Sequence, residues 1–225
     1  MAQEHGARFV AVEEAAQVQR VRQSWDGQKV KIETANASYP LLTIPLLGAH
    51  QLENIALAVA ALELVSDVAP LPWDEKDLRA GFQKVQWPGR CQVLEQNPVT
   101  LLDVAHNPNG ATALAATLRE LAGKTPVGLV CGLLGDKDAA GFFRALAPQV
   151  KKIWAVPLPS ERNMPQADLL AAIHNAGQQA EYLPLEKALA AARAWATQEH
   201  GILCLAGSLV LAGEILRQRE APEKN

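Results

Sequence analysis

The sequence predicts an α/β fold: a mostly parallel, doubly wound sheet preceded by a smaller mixed unit. Three observations carry this. From residue 99 onward, short apolar runs alternate five times with helical stretches. Those runs are apolar throughout, as parallel strands buried on both faces require. With 49% apolar and 20% charged residues, the composition is that of a globular chain able to cover such a sheet with right-handed crossovers.

Taken in order, residues 18–25 and 28–34 read as two strands around an Asp26-Gly27 hairpin turn. A ribbon of this kind needs cover. Either the later helices supply it or the chain begins inside a domain. Residues 50–66 form a helix apolar on nearly every face, hence buried. A shorter helix spans 73–85, with Pro72 at its start and Asp74 and Glu75 in its first turn. Trp87-Pro88-Gly89-Arg90 then breaks the chain before the strand CQVLEQ. Asn97-Pro98 reads as a joint, which divides the chain into 1–97 and 98–225. Beyond it, strands start at residues 99, 127, 151, 180 and 201, each followed by a helix, the last being SLVLAGEILRQR. The first unit, short of sheet partners, is expected to expose apolar surface.

Several classes of function are excluded. A net charge of −3 with no basic run argues against nucleic-acid binding. No apolar run reaches the ~18 residues of a membrane helix, and MAQEHGARF has no secretory core. Cys91, Cys131 and Cys204 stand apart in apolar settings and read as reduced core thiols of a cytoplasmic protein. The patterns GxxxxGK[ST], HExxH and GxSxG are absent, and no GxGxxG follows a strand, which disfavours a dinucleotide oxidoreductase.

Ligands of such sheets sit beyond the carboxyl ends of the strands. After the first strand come Asp103 and His106, then a helix start that attracts anions. Equally, Asn107 or Asn109 could simply cap that helix, Pro108 open it and Asp103 tighten the loop. After the second strand, Gly132–Asp138 offers Lys137 as a cation, or forms a glycine turn with a solvated tip and Asp138 as cap. Gly207-Ser208 is a hydroxyl at a third helix start. His50 and Asn54 share a helix face, where Asn54 could read a base edge or merely make a local contact. Arg90, after Pro-Gly, could reach a phosphate or ribose, or form a surface ion pair. His5, His174 and His200 have no spaced partner. The five tryptophans are scattered and suit packing more than a stacking platform.

Together LLGAHQLENIALAVAALELV, the WPGR turn, LLDVAHNPNGATAL, VCGLLGDKDA and LAGSLVLAGEIL resemble the folylpolyglutamate synthase/dihydrofolate synthase family of the Mur ligase superfamily. The resemblance covers roughly residues 40–217. It implies a carboxyl-terminal Rossmann-like domain, 98–225, preceded by the carboxyl-terminal part of a Mur-ligase-type central ATPase domain, 1–97. It implies an ATP- and Mg²⁺-dependent ligase that adds L-glutamate to folate or dihydropteroate through an acyl phosphate. Asn54 would contact adenine, Arg90 the nucleotide and Asp103 its ribose. His106 would face the reacting centre. Lys137, Ser208 and Asn107 would meet the amino-acid substrate. The family's phosphate loop and metal ligands lie in a portion that has no counterpart here. The chain is therefore expected to be a carboxyl-terminal fragment of an enzyme that is monomeric when complete, the alternative being a non-catalytic nucleotide- or amino-acid-binding module.

Overall fold

The computed structural model describes residues 9–69 and 72–220, so His5 lies outside the described residues. The chain divides into two units, 1–86 and 87–225.

In the first unit, a short helix α1 (Val12–Ala15) leads into β1 (Ala16–Ser24), β2 (Gly27–Thr34) and β3 (Ser38–Ile44). These form an antiparallel sheet in the order β1-β2-β3. The Asp26-Gly27 turn lies where expected. Gly27 has φ +128°, and a Cβ there would stand 2.5 Å from the Ile44 carbonyl oxygen. Helix α2 (His50–Val68) and helix α3 (Glu75–Gln83) follow. Val30, Ile32, Leu42 and Ile44 of the sheet pack with Ile55, Val59 and Leu78 of the helices in one apolar cluster. Helix α3 starts later than expected. Its N-cap is Asp74, whose carboxylate accepts from the Lys76 and Asp77 amides in a reciprocal capping box, so Pro72 lies outside the helix. Val21, Leu41, Leu57, Val65 and Val68 are exposed.

In the second unit, β4 (Gln92–Gln96) and β5 (Val99–Leu102) precede α4 (Pro108–Ala122), β6 (Val127–Cys131), α5 (Ala139–Leu146) and β7 (Lys152–Ala155). Helix α6 (Gln166–Asn175), β8 (Ala180–Tyr182), α7 (Leu185–Glu199), β9 (Ile202–Ala206) and α8 (Leu209–Glu220) complete it. The strand order is β4-β5-β9-β6-β7-β8. All pairings are parallel except β4 with β5. The unit starts ahead of the expected joint. Asn97-Pro98 turns a hairpin, and residues 92–96, expected in the first domain, form the antiparallel edge of the second sheet. Leu102, Val130, Trp154, Leu203 and Leu205 form one face of the core with Ala188, Ala192 and Ala196 of α7. Gly128 leaves room for Trp154 and Trp195, whose rings meet edge to face at 5.7 Å.

Among the described residues no helix is long and apolar enough to cross a membrane. All three cysteines are buried and unpaired, and burial raises each thiol above its usual range.

Candidate functional site

The strand order puts β9 between β5 and β6. The three loops picked out in the sequence therefore leave three neighbouring strands at one sheet edge. Small residues let them close up. A Cβ on Gly207 (φ +121°) would stand 2.6 Å from the Gly132 carbonyl oxygen, and one on Gly141 would stand 2.5 Å from Pro108 Cγ. The loops after β9 and β6 thus touch, as do the starts of α4 and α5.

Asp103 is almost fully buried. Its Oδ1 accepts from the Ala105 amide at 2.7 Å, and its Oδ2 from the Cys91 amide at 2.8 Å. The second bond reaches back to the WPGR turn, as does the Val104 amide, which donates to the Gly89 carbonyl at 2.8 Å. Gly89 (φ +72°) and Cys91 (φ +43°) both adopt left-handed backbone, so Arg90 is held at the crest of a tight turn. Its guanidinium lies 5.8 Å from the centre of the Trp87 ring. Half of Trp87 is exposed, so this tryptophan supports a cation at the surface and does not serve core packing. Asp103 thus acts as a loop anchor, with both oxygens engaged by backbone, and Arg90 is the exposed group it positions.

The His106 Nδ1 lies 2.8 Å from the Val104 carbonyl oxygen. A carbonyl only accepts, so Nδ1 carries the proton and Nε2 is the ring nitrogen left free of this contact. Asn107 caps α4, its Oδ1 accepting from the Gly110 amide at 2.8 Å. Its oxygen is committed to the helix, as the capping alternative holds. Asp138 caps α5 in the same way through Gly141. Ser208 is buried, and its Oγ accepts from the Val210 amide at 3.0 Å at the start of α8, leaving its hydroxyl proton available. Lys137 Nζ pairs with Asp136 Oδ2 at 3.0 Å.

Asn54 belongs to the first unit, on the exposed side of α2, with its Nδ2 donating to Gln51 Oε1 at 3.0 Å. The start of α2 is fixed by two glutamines. Gln28 Nε2 donates to the Leu46 and Gly48 carbonyls, and the Gly48 amide donates to Gln23 Oε1.

Cys91 is the buried core thiol expected, but sequence reasoning missed its backbone amide as the partner of Asp103, the Trp87 ring as the support of Arg90, and Arg162 altogether. Arg162 follows β7, and its Nη2 lies 2.8 Å from Asp136 Oδ2, the same oxygen that Lys137 meets. Lys137 and Arg162 together hold the Asp136 carboxyl down at about 2. The signal for Arg162 was its place in the loop after the third strand.

The domain model of the Mur ligase, glutamate ligase domain, matches residues 89–209, just over half the chain, and the chain belongs to this family. Its curated relatives include synthases of the folate branch. One is the dihydrofolate synthase/folylpolyglutamate synthase of Mycobacterium tuberculosis, 40% identical over 124 residues, covering 54% of this chain and 25% of the relative. The Escherichia coli protein of the same name is 32% identical over 168 residues, covering 74% and 39%. Among solved structures, M. tuberculosis folylpolyglutamate synthase complexed with ADP and AMPPCP superposes with a TM-score of 0.84 at 25% identity, over 98% of this chain and 51% of that one. E. coli FolC in complex with ADP gives 0.81 at 27% identity, over 97% and 49%. The chain spans about half the length of these solved proteins and well under half of the curated relatives named.

Proposed function

We propose that the chain is the carboxyl-terminal part of an ATP-dependent ligase that joins L-glutamate to a folate or to dihydropteroate through an acyl phosphate. The observation that carries this is the convergence of the His106, Lys137 and Ser208 loops at one edge of the sheet, beyond β5, β6 and β9. Each loop contributes a different chemistry. His106 offers its Nε2 to the reacting centre. Lys137 offers a cation, and Ser208 a hydroxyl at a helix start, to the carboxylates of the incoming amino acid.

ATP, when bound, supplies the phosphoryl group that makes a carboxylate an electrophile. Of the residues here, Arg90 fits its phosphates, being exposed, held at the crest of its turn and backed by Trp87. Asp103 supports the nucleotide through Arg90. For Mg²⁺ the fit fails: among the described residues no group of three His, Cys, Asp or Glu could hold a metal ion. On this reading the metal ligands and the phosphate loop come from sequence beyond this chain, and the working protein is a cytoplasmic enzyme.

Two measurements on the purified chain test the proposal. L-Glutamate should bind in calorimetric titration. ATP- and glutamate-dependent conversion of dihydropteroate or tetrahydrofolate should stay at background. Product formation by the chain alone refutes the fragment reading. No heat with L-glutamate refutes the amino-acid site.

A further inference from the structure

Beyond the three loops already described, a fourth belongs to the same edge of the sheet. The segment after β7 pairs with the segment after β6. Leu134 and Asn163 form an antiparallel bridge. The Gly135 amide donates to the Arg162 carbonyl at 2.8 Å, and the Met164 amide to the Leu133 carbonyl at 3.0 Å. Asn163 closes the far side, its Oδ1 accepting from the Leu158 amide at 2.8 Å and its Nδ2 donating to the Met164 carbonyl at 2.9 Å. Gly132 seats this arrangement, since a Cβ there would stand 2.8 Å from both Leu158 Cδ2 and the Val156 carbonyl oxygen. Arg162 therefore rises from a fixed backbone, opposite Lys137.

The charges do not balance. Asp136 engages Lys137 and Arg162 through one oxygen, Oδ2, leaving a net charge of +1 on the group. Only Nη2 of the guanidinium makes the ion pair, so the planar fork keeps further donors for a second carboxylate. Asp136 holds the two cations side by side where the loops after β6 and β7 pair, and its own negative charge opposes anions bearing more than one charge.

We infer that Arg162 and Lys137, held together by Asp136, form the subsite for the side-chain carboxylate of the incoming amino acid, making Arg162 the residue that selects a dicarboxylic amino acid over its amide. This inference rests on the reading of the edge as an amino-acid site. The chemistry is a fork-to-carboxylate contact. An amide side chain of the same shape brings no charge and points an N–H₂ at the cations.

The test is a calorimetric titration of the purified chain with L-glutamate and with L-glutamine, on wild type and on Arg162→Gln and Arg162→Lys. Melting curves establish that each variant is folded, and nitrogen-15 amide shifts of the 132–138 loop provide a second binding readout. Wild type should prefer L-glutamate. Arg162→Gln should reduce that preference roughly five- to tenfold, with glutamine affinity little changed, and Arg162→Lys should restore part of it. A preference retained in full by Arg162→Gln overturns the role of Arg162 while leaving the amino-acid site in place. A wild-type chain that binds neither amino acid overturns the site and this inference together.

Discussion

The Asp103 carboxylate and the Cys91 amide nitrogen lie 2.8 Å apart, and this bond ties the WPGR turn to the loop after β5. It lets a buried acid set the position of an exposed arginine that it does not touch. Cys91 keeps a left-handed backbone, φ +43°, which a non-glycine residue holds only when its surroundings enforce it.

Asp103→Asn should destabilise the chain by about 1–3 kcal/mol, because an amide nitrogen would face one of the two backbone donors and leave it unpaired. Thermal or urea unfolding gives the value. ADP affinity should fall in Asp103→Asn and in Arg90→Ala alike, while only the former loses stability. An Asp103→Asn variant as stable as wild type would contradict the anchoring role of the acid.

In the first unit, Glu63 gathers Thr34, Asn36 and Tyr39, accepting from the Tyr39 hydroxyl at 3.3 Å. Burial first, then the Glu63 charge, push the Tyr39 phenol up to about 12 from its ordinary 10.0. A group whose pKa is raised on folding gives stability that is whole below the unfolded value and is lost as pH rises through the folded one. Stability should therefore decline between pH 10 and 12. The Tyr39 tyrosinate absorbance should appear near pH 12, and Glu63→Gln should bring that step down. A Tyr39 step at its ordinary 10.0 in the folded protein would contradict the contact.

Much of this was legible because parallel strands must be apolar on both faces, and VGLVC and ILCLA can be little else. The same logic pointed to the loops beyond β5, β6 and β9, which the strand order places side by side. The unit boundary was misplaced because Asn97-Pro98 has the local chemistry of a turn, and only the pairing of β4 with β5 tells a hairpin from a linker. Arg162 escaped notice because its partner, Asp136, lies in a different loop, and no spacing rule links the two. Asp103 was visible as an acid, but nothing in the sequence reveals that backbone amides occupy both of its oxygens.

Asp136 gives a second pH signature. Hydrogen bonds from Lys137 and Arg162 hold its carboxyl at about 2, below the ordinary 3.8. A depressed carboxyl contributes stability above the unfolded value and loses it as pH falls through the folded one, here between 3.8 and 2. The group is solvent-exposed, so the effect on stability is small. Carboxyl-carbon NMR titration should place its midpoint near 2 in wild type and move it upward in Arg162→Gln. An unmoved midpoint would mean the ion pair does not persist in solution.

The contact between the loops after β9 and β6 depends on Gly207. Its φ is +121°, and a Cβ at this position would stand only 2.6 Å from the Gly132 carbonyl oxygen, which leaves a side chain no room. Gly207→Ala should cost at least about 1–3 kcal/mol and weaken L-glutamate binding by displacing Ser208. Gly213→Ala, at a helical position where a Cβ meets nothing within 4 Å, is the matched control and should be neutral or slightly stabilising. Equal melting temperatures for the two variants would remove the packing argument.

His106 decides between chemistry and architecture. Its Nδ1–H is spent on the Val104 carbonyl, and Nε2 is the atom left to act. His106→Ala removes both, whereas His106→Asn keeps an N–H where Nδ1 stands and removes only Nε2. If the histidine serves the loop alone, Asn should behave as wild type in every assay, and Ala should lose up to about 1 kcal/mol from the unpaired carbonyl. If Nε2 meets the reacting centre, both variants should lower turnover in the complete ligase proposed above. The loss should be at least about tenfold, rising toward 10²–10⁴ if the nitrogen moves a proton, with the Michaelis constant for ATP unchanged. The asparagine variant separates the two cases because its melting temperature should match wild type while its rate does not. Wild-type turnover in His106→Asn would leave His106 as a loop residue and move the search for the group at the reacting centre elsewhere along this edge.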